Sequence, residues 1–268
     1  MDSNLLFAFG LTVLAGLSTG IGSLIAFMTK KTNKKFLSLG LGFSAGVMIY
    51  VAMIEIFFKA QESLVSELGE TMGCWITVIS FFAGMFLISL IDKVIPSPDS
   101  SKEIEKYLEG EKSEEKDQKK LLRMGTMTAL AVAIHNFPEG FATLIAALQD
   151  PALGITIAIA IAIHNIPEGI AVSLPIYHAT GNRKKAFLYS FFSGVMEPVG
   201  AIAGYLILAS FMTDALFGII FAAVGGIMVF ISLDQLLPTA REYGGNRFSV
   251  IGSIFGMIVM AVSLLLFI

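Results

Sequence analysis

Eight apolar runs, each about 20 residues or longer, limit what this chain can fold into more than any other feature of it. They fall near residues 5–28, 36–58, 74–95, 122–148, 152–176, 186–210, 214–237 and 248–268. As a helix rising about 1.5 Å per residue, a run of that length matches the hydrocarbon thickness of a bilayer. Apolar residues make up 55% of the 268 positions, and the mean hydropathy is +0.79. No ordinary soluble core of this size could hide so much apolar surface. The runs therefore predict an all-α membrane protein, a single polytopic domain over residues 1–268 with eight transmembrane helices and the lipid bilayer as its surroundings. The first run is not followed by the small-residue cleavage site of a secretory signal and reads as a retained helix.

The charges test this division. Residues 96–121 are rich in Lys, Glu, Ser and Asp and read as a solvated loop between helices three and four. Lys30, Lys31, Lys34 and Lys35, then the charged loop, then Arg183, Lys184 and Lys185, then Arg241 and Arg247 all follow odd-numbered helices, whereas the opposite side has Lys59. Basic residues in short loops stay cytoplasmic, so both termini are expected outside and the charged loop inside. A net charge of −3 with no basic stripe excludes a nucleic-acid partner, and the single cysteine, Cys74, excludes both an internal disulfide and a CxxC metal site.

Two internal repeats follow. TALAVAIHNFPEGFAT from Thr128 to Thr143 recurs 29 residues later as IAIAIAIHNIPEGIAV from Ile157 to Val172. More weakly, GVMIYVAMIE from Gly46 to Glu55 resembles GGIMVFISLD from Gly225 to Asp234, and Gly16, Thr19 and Gly22 fall on Gly194, Glu197 and Gly200 at nearly the same offset. Each matched pair would cross the membrane in opposite directions, which predicts inverted repeats, helices 1–3 and 6–8, around a central helix 4–5 hairpin.

Chemistry concentrates in the stronger repeat. His135 and Glu139 are four apart and share a face of helix four, with Asn136 on the flank; His164, Glu168 and Asn165 repeat this on helix five. Both motifs lie about 10 to 15 residues from the outer turn Gln149 to Pro151, and so near mid-membrane. Ionisable groups there cost several kcal/mol unless paired, and a cation is their common partner. Pro138 and Pro167 remove a backbone donor, freeing the carbonyls of Ile134 and Ile163 and predicting kinks. Glu197, beside Pro198 in helix six, adds a further carboxylate near mid-depth. Glu55 and Asp234 are candidates for metal entry and exit, and His178 reads as an exposed loop histidine. The 13 methionines are scattered as gap-fillers rather than as a thioether pathway. Imidazole and carboxylate donors without thiolate suit Zn²⁺, Fe²⁺, Mn²⁺ or Co²⁺, while Ca²⁺ and Mg²⁺ prefer all-oxygen cages.

The paired HNFPEG and HNIPEG motifs on adjacent apolar helices, in an eight-helix chain with both ends outside, resemble the ZIP metal transporters, and among them the bacterial branch. The resemblance covers essentially the whole chain. It implies two adjoining metal sites, one zinc-type at His135, Glu139, His164 and Glu168, the other at Asn136, Glu139, Asn165, Glu168 and Glu197, with Glu139 and Glu168 bridging both. It also implies import of zinc and other divalent metals such as Fe²⁺ into the cytoplasm, residence in the cell membrane (the inner membrane of a Gram-negative source), homodimers in some members, and no enzymatic activity or resident cofactor. Many relatives carry a His-rich loop between helices three and four; this chain has none there. An intramembrane zinc hydrolase is the rival from another class, but in H-E-x-x-H the base adjoins the first His, and here Asn occupies that place. A non-transporting metal sensor is the other alternative.

Overall fold

The computed structural model describes residues 3–28, 33–94, 114–149, 151–208 and 213–265, which are helical almost throughout, with no strand among them. Among the described residues, eight helices are long and apolar enough to cross a membrane. α1 is Ser3–Ala26; α2 runs Lys34–Leu68 with a π turn at Val51–Ile56; α3 is Glu70–Val94; α4 is Glu114–Gln149; α5 is Pro151–Thr180. α6 is Arg183–Ala203 continued by a π turn at Gly204–Leu208; α7 runs Asp214–Gly244 with a π turn at Ser232–Leu236; α8 is Asn246–Leu265.

Local chemistry sets the boundaries. Asn33, Asn182 and Thr213 precede α2, α6 and α7, and their side-chain oxygens accept from the backbone N–H groups of Phe36, Lys185 and Leu216 at 3.0–3.1 Å. Gly69 and Gly245, with φ of +80° and +83°, each reverse the chain in one residue between α2 and α3 and between α7 and α8, a conformation that glycine adopts at little cost. These turns correct the expected boundaries. α2 passes residue 58 and runs to Leu68, because beyond Phe57 its pattern becomes amphipathic: Ala60 and Leu64 are buried while Lys59 and Glu67 face out. Ser63 Oγ then donates to the Asp214 carbonyl at 2.7 Å, tying this extension to the start of α7. Residues 114–121 of the charged stretch form the first turns of α4, and residues 96–113 lie outside the described residues. α4 and α5 remain helical through Pro138 and Pro167.

The helices pack as two groups, α1, α4, α5 and α6 in one, α2, α3, α7 and α8 in the other, joined chiefly where α2 lies on α5. The predicted repeats appear in the contacts. A Cβ on Gly16 would strike the Gly194 carbonyl, and one on Gly194 would strike the Gly16 carbonyl; Gly22 presses on the Ile166 carbonyl as Gly200 presses on that of Phe137. The π turns of α2 and α7, holding Glu55 and Asp234, overlap at the offset of the matched segments, and Gly69 and Gly245 end the two helices in the same manner.

Candidate metal centre

Two faces meet between α4 and α5. His135 and Glu139 project from one turn of α4, His164 and Glu168 from the equivalent turn of α5, and Glu197 enters from α6. Together with Asn136 and Asn165 these seven residues are buried, none more than 3% exposed. Close helix approach makes this convergence possible. Gly140 lies against the Glu197 carbonyl and Gly169 against the Thr19 carbonyl, where any side chain would push α4 from α6 or α5 from α1.

Glu139 stands between the imidazoles, its Oε1 3.2 Å from Nε2 of His135 and 3.2 Å from Nε2 of His164. Glu168 Oε1 lies 3.5 Å from His135 Nε2, and the two rings are 6.1 Å apart. One donor atom each from His135, His164 and Glu168 fall within 4.8 Å of one another, close enough to hold one metal ion. A tetrahedral ion with bonds of about 2.0–2.2 Å keeps its donors roughly 3.3–3.6 Å apart, and the His–Glu contacts of 3.2–3.5 Å are of that order. Apart from its contact with His135, neither Glu168 oxygen receives a hydrogen bond among the described residues, and Nδ1 of both histidines is likewise without one. Buried carboxylates in that condition are costly, and a cation relieves the cost.

The asparagines flank this cluster. Asn136 Nδ2 donates to the Ser193 carbonyl at 3.1 Å, and Asn165 Nδ2 donates to the Ala15 carbonyl at 3.0 Å and to Glu197 Oε1. Both Oδ1 atoms, and Glu197 Oε2, are buried without a hydrogen-bond partner among the described residues and are available as metal donors. The sequence-predicted residues thus gather in one place, with Glu197 joined to Asn165. The backbone carbonyls of Ala15 and Ser193, which orient the asparagines, have no side-chain signature; their only trace in the sequence is that each precedes one of the paired glycines, Gly16 and Gly194.

Three other candidates sit elsewhere. Glu55 is ion-paired with Lys59 at 2.7 Å, and Asp234 is exposed. His178, expected in an exposed loop, is instead buried in the last turn of α5, its ring edge-on to Tyr177. α5 runs on past the apolar stretch to Thr180, which carries the histidine into the packed helix end.

Comparison with known proteins bears on this arrangement directly. A family model described as ZIP zinc transporter matches residues 96–264, which include both motifs and Glu197. The chain belongs to the ZIP family. It is 61% identical to the zinc transporter ZupT of Chlorobium chlorochromatii (strain CaD3) over the whole of both chains. It is also 61% identical to that of Streptococcus mutans serotype c over the whole of both, and 60% identical to that of Clostridium perfringens, covering 99% of this chain and 98% of the other. As a ZIP-family chain with eight membrane-length apolar helices among its described residues, it is a multi-pass membrane protein.

Proposed function

We propose that this ZIP-family protein carries zinc across the cell membrane into the cytoplasm through the buried centre between α4 and α5. The observation that carries the proposal is the convergence of the duplicated motifs: two imidazoles and two carboxylates from adjacent helices, linked by imidazole–carboxylate contacts of 3.2–3.5 Å and buried in a chain of membrane-length helices. His135, His164, Glu139 and Glu168 form the primary site; Asn136, Asn165 and Glu197 extend it to a second ion, with Glu139 and Glu168 shared. Ferrous iron, of similar charge and ligand preference, competes for the same donors. The zinc transporters that resemble the chain along its length support this reading over the hydrolase. The excess of Lys and Arg after odd-numbered helices supports both termini outside and entry toward the basic side. The family resemblance extends the proposal to a homodimer.

The test is uptake of radioactive zinc into liposomes containing the purified protein. Saturable uptake is expected, abolished by Glu168→Ala and inhibited by ferrous iron. Zinc binding without uptake would instead make the protein a sensor, and uptake unaffected by Glu168→Ala would remove this site from the pathway.

A further inference from the structure

The two flanks of the centre are built to one plan but furnished differently. An offset of 178 residues relates α1 to α6, as in Gly16 and Gly194, and an offset of 29 relates α4 to α5. Those offsets map one set of contacts onto the other. Asn136 donates to the Ser193 carbonyl and Asn165 to that of Ala15, and Gly140 abuts the Glu197 carbonyl as Gly169 abuts that of Thr19. On this mapping the counterpart of Glu197 is Thr19. Where Asn165 meets the Glu197 carboxylate, the mapping assigns Asn136 only the hydroxyl of Thr19.

The Thr19 side chain is placed to act there. It is fully buried, and its Oγ1 has no hydrogen-bond partner among the described residues. That oxygen lies over Gly194, 2.8 Å from where a Cβ would stand, and so against the same peptide whose Ser193 carbonyl holds the Asn136 amide. Asn136 Oδ1 is also buried and unpartnered. Two neutral oxygen donors thus stand unsatisfied beside the His/Glu cluster, a costly arrangement unless a ligand completes it. Neutral oxygens hold a divalent ion far less tightly than a carboxylate does, because they bring no charge to offset its lost hydration.

We infer that Thr19 is a specificity-determining residue of the centre: with Asn136 it forms the neutral, oxygen-only edge of the second site, opposite the Asn165 and Glu197 edge, and its hydroxyl, bringing no charge, leaves the second ion drawn toward Glu197. This rests on the metal-binding reading of the centre. One weak flank leaves the cargo a side from which it can depart, whereas carboxylates on both flanks would hold a further ion and retain it.

The experiment counts zinc bound per chain in the purified full-length protein, by titration and by elemental analysis after desalting, in wild type and three variants. Glu197→Thr is expected to bind one ion fewer than wild type. The exchange Thr19→Glu with Glu197→Thr moves the carboxylate across the pairing and is expected to regain that ion with affinity within about tenfold of wild type. Thr19→Asp alone is expected to bind one ion more than wild type. If Glu197→Thr keeps the wild-type count, the assignment of Glu197 as a ligand falls and the inference with it. If Glu197→Thr loses an ion that the folded exchange variant does not regain, the inference alone falls. Should the exchange variant fail to fold, Thr19→Asp decides, and a wild-type count there overturns the inference.

Discussion

Glu139 is the residue on which the centre turns, because a single oxygen serves both imidazoles at 3.2 Å. Glu139→Gln keeps the shape but removes the charge that the proposed shared ligand would offer a divalent ion. Zinc affinity is expected to fall by about two decades, ~2.7 kcal/mol, measured by calorimetric titration; a change smaller than threefold would leave Glu139 a packing residue. The histidines give the site its pH dependence. An imidazole ligates only when neutral, so protons compete with the metal increasingly as the pH falls. Affinity is expected to weaken steadily from about pH 7.5 to about pH 5.5, and constancy over that range would argue that His135 and His164 are not ligands. The side chains of this centre were legible in the sequence because helical spacing alone puts His135 beside Glu139 and His164 beside Glu168. The carbonyls of Ala15 and Ser193 were not, since every residue has one and only tertiary packing decides which is used.

Among the elements, the helices themselves were readable and several of their ends were not. Hydropathy measures where a membrane core ends, whereas a helix ends where its hydrogen bonds or backbone angles do. The segment Phe57–Leu68 shows the difference: it is too polar to count as apolar run, yet its buried Ala60 and Leu64 recur at helical spacing until Gly69 turns the chain. The inverted relation between α1 and α6 left only a few glycines and a Thr/Glu pair in the sequence, and the structure gives those glycines their meaning as points of backbone contact. Gly200 illustrates the energetics. A Cβ there would meet the Phe137 backbone, which cannot move without displacing α4 within the centre, between Asn136 and Glu139. Gly200→Val is expected to lower stability by about 1–3 kcal/mol, seen as an earlier thermal transition in detergent. Gly10→Ala, in the interior of α1 with no atom of another element within 4 Å of the new methyl, should not lower it and should raise it by up to about 1 kcal/mol through helix propensity. Equal effects from both would mean that the α4 and α6 contact does not limit stability.

For the whole molecule, the division into two helix groups raises the question of what moves. The centre belongs to the α1, α4, α5, α6 group, and α2 of the other group packs on α5. One hydrogen bond crosses this seam beside the motif: Ser44 Oγ donates to the Pro167 carbonyl at 2.8 Å, next to Glu168. A carrier working by alternating access must slide one group past the other, since a metal held at mid-membrane reaches both sides only if the surrounding helices rearrange. Packing along the seam is close: a Cβ on Gly40 of α2 would lie 2.8 Å from the Leu174 side chain of α5. Cysteines at Gly40 and Leu174, with the natural Cys74 replaced by serine, can therefore be bridged by oxidation or by a short bifunctional reagent. Bridging is expected to leave zinc binding intact while stopping uptake into liposomes, and reduction or omission of the reagent should restore it. Undiminished flux through the bridged protein would show that the metal passes without relative motion of the two groups, as through a channel.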